Sequence, residues 1–226
     1  MSELLAPLKM TLNGRVFINL TSGTPNDARK AAQWVESMGA DYLDGAIMGV
    51  PQMIGMSEAL LFYGGSPKLF EAYEPLLKVF GGNTVFLSDD PGIPLLYDMA
   101  LLTILYGAGE GLLHAHAMVS TANIPASQFQ PYVAEWLTNV IVPSYASLDA
   151  VRAIETGEYA TDVSNTKTNQ LALGHIIKAS KELDIPVEWL KPSKAVLDQL
   201  VDEGYSNDDP IRAFEIISPV RRKKHK

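Results

Sequence analysis

DPGIPLLYDMALLTILYG, residues 90–107, is where this chain changes character. Ahead of it, short apolar runs alternate with turn residues and helical stretches. Behind it no strand pattern recurs. From Gly92 the sequence continues as one nearly all-apolar helix candidate to about residue 122. A helix that is apolar all round belongs in a core or a subunit interface. Yet this one carries an early carboxylate, Asp98. A buried Asp must be paired, neutralised by a raised pKa, or used. The plainest alternative is an acid held near a helix start, where the macrodipole favours negative charge.

Working upstream, RVFINL (15–20) reads as a short buried strand and TSGTP as a turn. Pro25 suits the first turn of a helix running to about Met38, with Thr24 as its cap and Gly39 as its stop. DYLDGAIM (41–48) reads as a strand, and Gly49, Pro51 and Gly55 mark irregular backbone after it. EALLFYGG (58–65) is another strand. Ser66-Pro67 opens a helix to about Phe80, and NTVFL (83–87) is a further strand. Working downstream, 126–156 reads as helix with an interruption at Pro143, and 164–183, 186–203 and 210–217 as three more. The pattern is an α/β segment with an incomplete sheet, then an all-α half, with the change near 88–92. Residues 1–14 resemble the end of a helix and a turn entering the first strand. Ser206, Asn207, Asp208 and Asp209 read as a cap ahead of Pro210.

The 226 residues are 47% hydrophobic and 19% charged, which fits a soluble globular chain with a substantial core. A net charge of −8 argues against broad binding to nucleic acid or anionic membrane. The chain has no cysteine, which excludes disulfides and thiolate metal sites and fits a reducing, cytoplasmic setting. MSELLAPLKM has no secretory pattern. Residues 93–119 are long enough to span a bilayer, but Asp98, Glu110, His114 and His116 lie within them and no basic flank marks an inside face. RRKKHK (221–226) reads as a solvated tail, and the Asn19 sequon, at the end of an apolar strand, as a chance match.

No dinucleotide fingerprint G-x-G-x-x-G follows a strand, and no serine elbow, P-loop or HExxH occurs. The nearest string, GAGEG (107–111), lies inside the long helix and reads as close packing or a kink. His114 and His116 point about 200° apart on a helix and cannot chelate one metal. No metal site is expected. Tyr106 lies eight residues beyond Asp98, about 12 Å along the axis and about 80° around it, so the two could line separate walls of one cleft. A carboxyl group in such apolar company suits proton donation near neutral pH.

Three pieces are similar to a known family: NLTSGTP (19–25), YLDGAIM followed by P-x-M-I-G (42–55), and Gly92 to Tyr106. The stretches 18–55 and 90–107 resemble the imine reductases and reductive aminases, within the β-hydroxyacid dehydrogenase-like enzymes, and the likeness runs from about residue 4 to about 215. It implies a partial Rossmann-type NADP-binding domain over 1–90, with the first strands and G-x-G-x-x-G missing. It implies a helical dimerisation domain over 91–220, and a basic tail over 221–226. It implies NADPH as cofactor and hydride transfer to a C=N bond of a small imine, amine or ketone substrate. A homodimer with intertwined helical domains is implied too, with each site shared between the cofactor domain of one chain and the helical domain of the other.

Asp98 stands six residues after Gly92, where hydroxyacid dehydrogenases carry Lys and imine reductases Asp or Tyr. An acid there suits an iminium or amine. By the same resemblance Tyr106 is the second catalytic residue, and Trp136 and Met48 contact the substrate. Asn19, Thr21 and Ser22 contact the cofactor, although Ser22 stands where reductive aminases often have Asn, and Ser22 and Thr24 also suit plain helix capping. Full-length members carry further residues before Met1, which leaves three readings. The chain is a truncated reductase, weak or inactive alone. Or it is a helical partner module that pairs with a full-length homologue as a heterodimer. Or it is a degenerate relative that binds no cofactor.

Overall fold

A computed structural model describes residues 12–222. The chain divides between Gly107 and Ala108 into two compact units. The first unit holds four strands among the described residues, β1 (Val16–Asn19), β2 (Asp41–Met48), β3 (Leu60–Gly65) and β4 (Asn83–Ser88), in the order β1-β2-β3-β4. Helix α1 (Pro25–Glu36) joins β1 to β2 and helix α2 (Pro67–Leu77) joins β3 to β4. Both connections are long enough for a crossover, and both strand pairs are parallel. The β2–β3 connection contains only a single short turn of helix, Pro51–Met53, so the chain reverses and that pair is antiparallel. The sheet is therefore mixed.

Alternation along β2 sends its side chains to two covered faces. On one face Tyr42 packs with Ala32 and Val35 of α1, and Ala46 with Ala28 and Phe62. On the other, Leu43 packs with Leu61 and Tyr63 of β3 and Leu77 of α2. The α1 start is a full capping box. The Thr24 side chain accepts from the Asp27 N–H, and the Asp27 carboxylate accepts from the Thr24 N–H, with Pro25 in the first turn. Gly39, at φ +73°, closes the helix as expected.

Helix α3 (Ile93–Ser120) begins in the first unit and ends in the second. Its helical assignment runs unbroken through the 107–111 glycines. A Cβ added at Gly107 or Gly109 would meet nothing within 4 Å, and one at Gly111 would make ordinary contact with Trp189. No helix of the described residues is long and apolar enough to cross a membrane.

The expected 126–156 helix is broken into three. These are α4 (Ala126–Trp136), a short α5 (Val142–Tyr145) and α6 (Leu148–Thr156). Between α4 and α5 the helix widens to a π turn over Leu137–Ile141, just ahead of Pro143, which has no N–H to offer the preceding turn. Helices α7 (Thr166–Glu182) and α8 (Leu190–Asp202) pack together, and α9 (Ala213–Ile217) and α10 (Pro219–Arg222) follow. Asp209 caps the turn at Pro210 by accepting from the Ile211 N–H, as the sequence suggests. Arg221 donates to the carbonyls of Ile154 and Glu155 at the end of α6. The rest of the basic tail lies outside the described residues, as does most of 1–14. His114 is buried. Its Nδ1 accepts from the Trp189 indole and its Nε2 meets the Ser180 hydroxyl at 2.8 Å, while His116 lies edge-on to Phe129.

Candidate active site

The start of α3 is fixed against the sheet by close packing. The Asp90 carboxylate accepts two parallel bonds from Arg29 of α1, at 2.9 and 2.7 Å, and also accepts from the Gly92 N–H. That pairing holds the Asp90 carboxyl below the usual carboxylate range. A Cβ at Gly92 would sit 2.8 Å from the Pro25 carbonyl, and one at Gly64 of β3 would sit 2.7 Å from Pro94. Leu95, one residue further on, is buried with Ala28, Ala46 and Phe62, and Met48 at the end of β2 packs against this cluster.

Asp98 follows one turn after Leu95 and is only 6% exposed. It makes no hydrogen bond among the described residues, and burial alone pushes its carboxyl upward from the usual carboxylate range. The acid is thus neither salt-bridged nor a hydrogen-bonded cap among the described residues.

The loop after β1 reaches the same place. A Cβ at Gly23 would lie 3.7 Å from the Leu95 side chain. Thr21 and Ser22 precede it and are exposed. Asn19 ends β1 and is buried. Its side-chain amide N–H donates to the Asp44 carboxylate at 2.9 Å, and its amide oxygen accepts from the Thr21 hydroxyl at 2.8 Å and from the Thr21 N–H at 3.3 Å. Asn19 therefore spends its amide inside the protein.

Asp44 is not among the site residues that the sequence singles out. It is fully buried in β2 opposite Asn19. Its Oδ2 also accepts from the Tyr42 hydroxyl, while Oδ1 has no partner among the described residues. Burial outweighs these two bonds and pushes its carboxyl up to about 6. The signal was present in DYLDGAIM as a second carboxylate in an apolar run.

The first unit thus sets Gly23, which follows Thr21 and Ser22, and Met48 near Leu95, one helical turn before Asp98. Tyr106 is not among them. It is 69% exposed, two helical turns beyond Asp98. Trp136, in the second unit, is 60% exposed and lines a cavity of about 850 Å³ with Asn139, Tyr145, Tyr159 and Asp209.

The exposed Thr21 and Ser22 hydroxyls and the half-buried Met48 side chain are groups that fit the reactive end of a nicotinamide cofactor. The N-terminus of α1 does not fit a phosphate. The Asp27 carboxylate already fills it, and a second anion would be repelled.

Residues 90–219 match a family described as NADPH-dependent reductive aminase-like, C-terminal domain. Residues 4–88 match the NAD-binding domain of 6-phosphogluconate dehydrogenase. The chain is 38% identical over 203 residues to an NADPH-dependent reductive aminase of Aspergillus oryzae, covering 88% of this chain and 68% of that one. The fold is similar to an imine reductase of Myxococcus stipitatus in complex with NADP+, at TM-score 0.90 and 28% identity over 96% of this chain and 76% of that one. It is also similar to a reductive aminase of Aspergillus terreus in complex with NADPH and ethyl levulinate, at TM-score 0.88 and 32% identity with the same coverage.

Proposed function

The chain belongs to the NADPH-dependent reductive aminase-like family, and we propose that it reduces a C=N bond of a small imine or iminium. The observation that carries this reading is Asp98, a carboxyl buried in α3 one turn after Leu95, the residue that the loop after β1 approaches. Bound NADPH supplies the hydride. Asp98 holds a proton, or a compensating negative charge, beside the nitrogen that accepts it. Thr21 and Ser22 orient the nicotinamide end, and Met48 offers the substrate an apolar contact. By the family resemblance Tyr106 serves as the second catalytic residue and Trp136 as a substrate contact. In this reading residues 1–90 belong to the cofactor domain, 91–220 to the helical domain and 221–226 to the tail.

The test is calorimetric titration of the purified chain with NADPH, alongside an imine-reduction assay. Saturable binding with turnover is the expected result. No binding would overturn the reading in favour of a partner module completed by another chain.

The same reading includes a homodimer. Leu96, Leu101, Ile104, Leu105 and Leu113 of α3 are all exposed, a concentration of apolar surface on one helix that a solvated monomer rarely carries. Each such side chain gains about 1.5–3 kcal/mol on full burial. The bare backbone at Gly107 and Gly109 leaves room for a second helix. Native mass spectrometry should show a dimer at micromolar protein. Ile104→Lys combined with Leu105→Lys should convert it to monomer, and a monomeric wild type would refute the assembly.

A further inference from the structure

We propose that Asp44 is a positioning residue that acts through the Asn19 amide to fix Thr21 at the mouth of the candidate site. This rests on the nicotinamide-binding reading above for its functional consequence, but not for its geometry.

The chain of contacts has one polarity. A carboxylate can only accept hydrogen bonds, so Asn19 must turn its N–H toward Asp44. Its oxygen then faces Thr21 and accepts both the Thr21 N–H and the Thr21 hydroxyl hydrogen. With that hydrogen spent, the Thr21 hydroxyl has only lone pairs left. The loop therefore offers an acceptor, suited to an N–H group of a bound ligand. A neutral amide at position 44 would accept or donate equally well, and the Asn19 amide would lose its fixed sense.

Nothing in the packing asks for a carboxylate at this position. Asp44 has one oxygen with no partner among the described residues, and the α1 residues buried on its side of the sheet are Ala28, Ala32 and Val35. A buried, half-satisfied carboxylate opposes folding at neutral pH, so its presence points to a task other than stability. Tyr42 bonds to the same oxygen as Asn19 and does not reach Thr21.

The experiment compares the full chain with Asp44→Asn. Amide hydrogen exchange is read by NMR without cofactor, melting by calorimetry, and NADPH affinity by titration. The Thr21 amide is expected to exchange about tenfold faster in the variant, while Leu43 and Ala46 in the same sheet keep their protection. NADPH should bind about tenfold more weakly, and the melting temperature should not fall. Unchanged exchange at Thr21 would overturn the proposal whether or not cofactor binds. A lowered melting temperature with faster exchange across the whole sheet would overturn it too, by making Asp44 purely structural. The expected exchange pattern in a wild type that binds no NADPH would support the positioning and refute the cofactor reading. Should Asp44→Asn fail to fold, Asn19→Leu breaks the same link one residue later, with the same expected loss at Thr21.

Discussion

Asp98→Ala is expected to lower kcat for imine reduction about a hundredfold or more, because a positioned proton donor contributes about 10²–10⁴ in rate. KM for NADPH should change little, since Asp98 is placed for the nitrogen of the substrate. The direction of the pH dependence follows from burial. The folded Asp98 holds its proton to higher pH than an exposed carboxyl does. As proton donor it works in the protonated form, so the rate should be held at low pH and lost as pH rises through its folded pKa. Asp98→Asn should abolish that limb in the residual rate. Stability runs the other way from an ordinary core residue. A carboxyl whose folded pKa is raised stabilises the fold below its unfolded value, and that contribution is lost as pH rises through the folded one. At pH 7 the buried carboxylate therefore opposes folding, and Asp98→Asn should melt no lower than wild type. A variant that loses activity only by unfolding would refute the assignment.

The strands of the first unit were legible because each is bracketed by turn chemistry, as at Gly39 before β2 and at Gly81 and Gly82 before β4. Their relative direction was not. DYLDGAIM is buried on both faces, and such a run reads the same in a parallel or an antiparallel sheet. Only the length of the 49–59 connection separates the two cases. Pro143 announced an irregularity downstream, and it takes the form of a π turn over Leu137–Ile141, while the helix itself ends only at Tyr145. The glycines of α3 look in sequence like a packing stripe, and only coordinates show that two of them face open space. Asp98 was legible as one acid in a long apolar helix, where the mismatch is plain. Asp44 escaped because strand alternation tolerates a polar residue every second position. Its meaning appears only with the register that sets it opposite Asn19. Asn19 itself was read by resemblance as a cofactor contact. The structure shows its amide turned inward, so any influence on the cofactor passes through Thr21.

Gly64→Ala should damage the junction between β3 and the start of α3. Two effects compete. Alanine in a strand is favoured over glycine by about 0.5–1 kcal/mol through backbone entropy. Against this, the new Cβ would sit 2.8 Å from the Asp90 carbonyl oxygen and 2.7 Å from Pro94. Neither neighbour is the free end of a flexible side chain, and Arg29 locks Asp90 in place. Overpacking of this kind costs about 1–3 kcal/mol, so the clash wins. A net loss of about 1 kcal/mol corresponds to about 2–4 °C in Tm for a chain of this size. The relief available is a shift of the α3 start away from β3, which carries Asp98 with it. Since misplacement by about 1 Å can cost about a hundredfold, kcat should fall far more than the stability loss alone explains at 25 °C. Gly174→Ala is the matched control. Its Cβ would make ordinary contact with Lys194 at 3.6 Å inside α7, so it should raise stability by up to about 1 kcal/mol and leave kcat alone. Equal effects of the two substitutions in thermal melts would show that the α3 start is not held by its contact with β3.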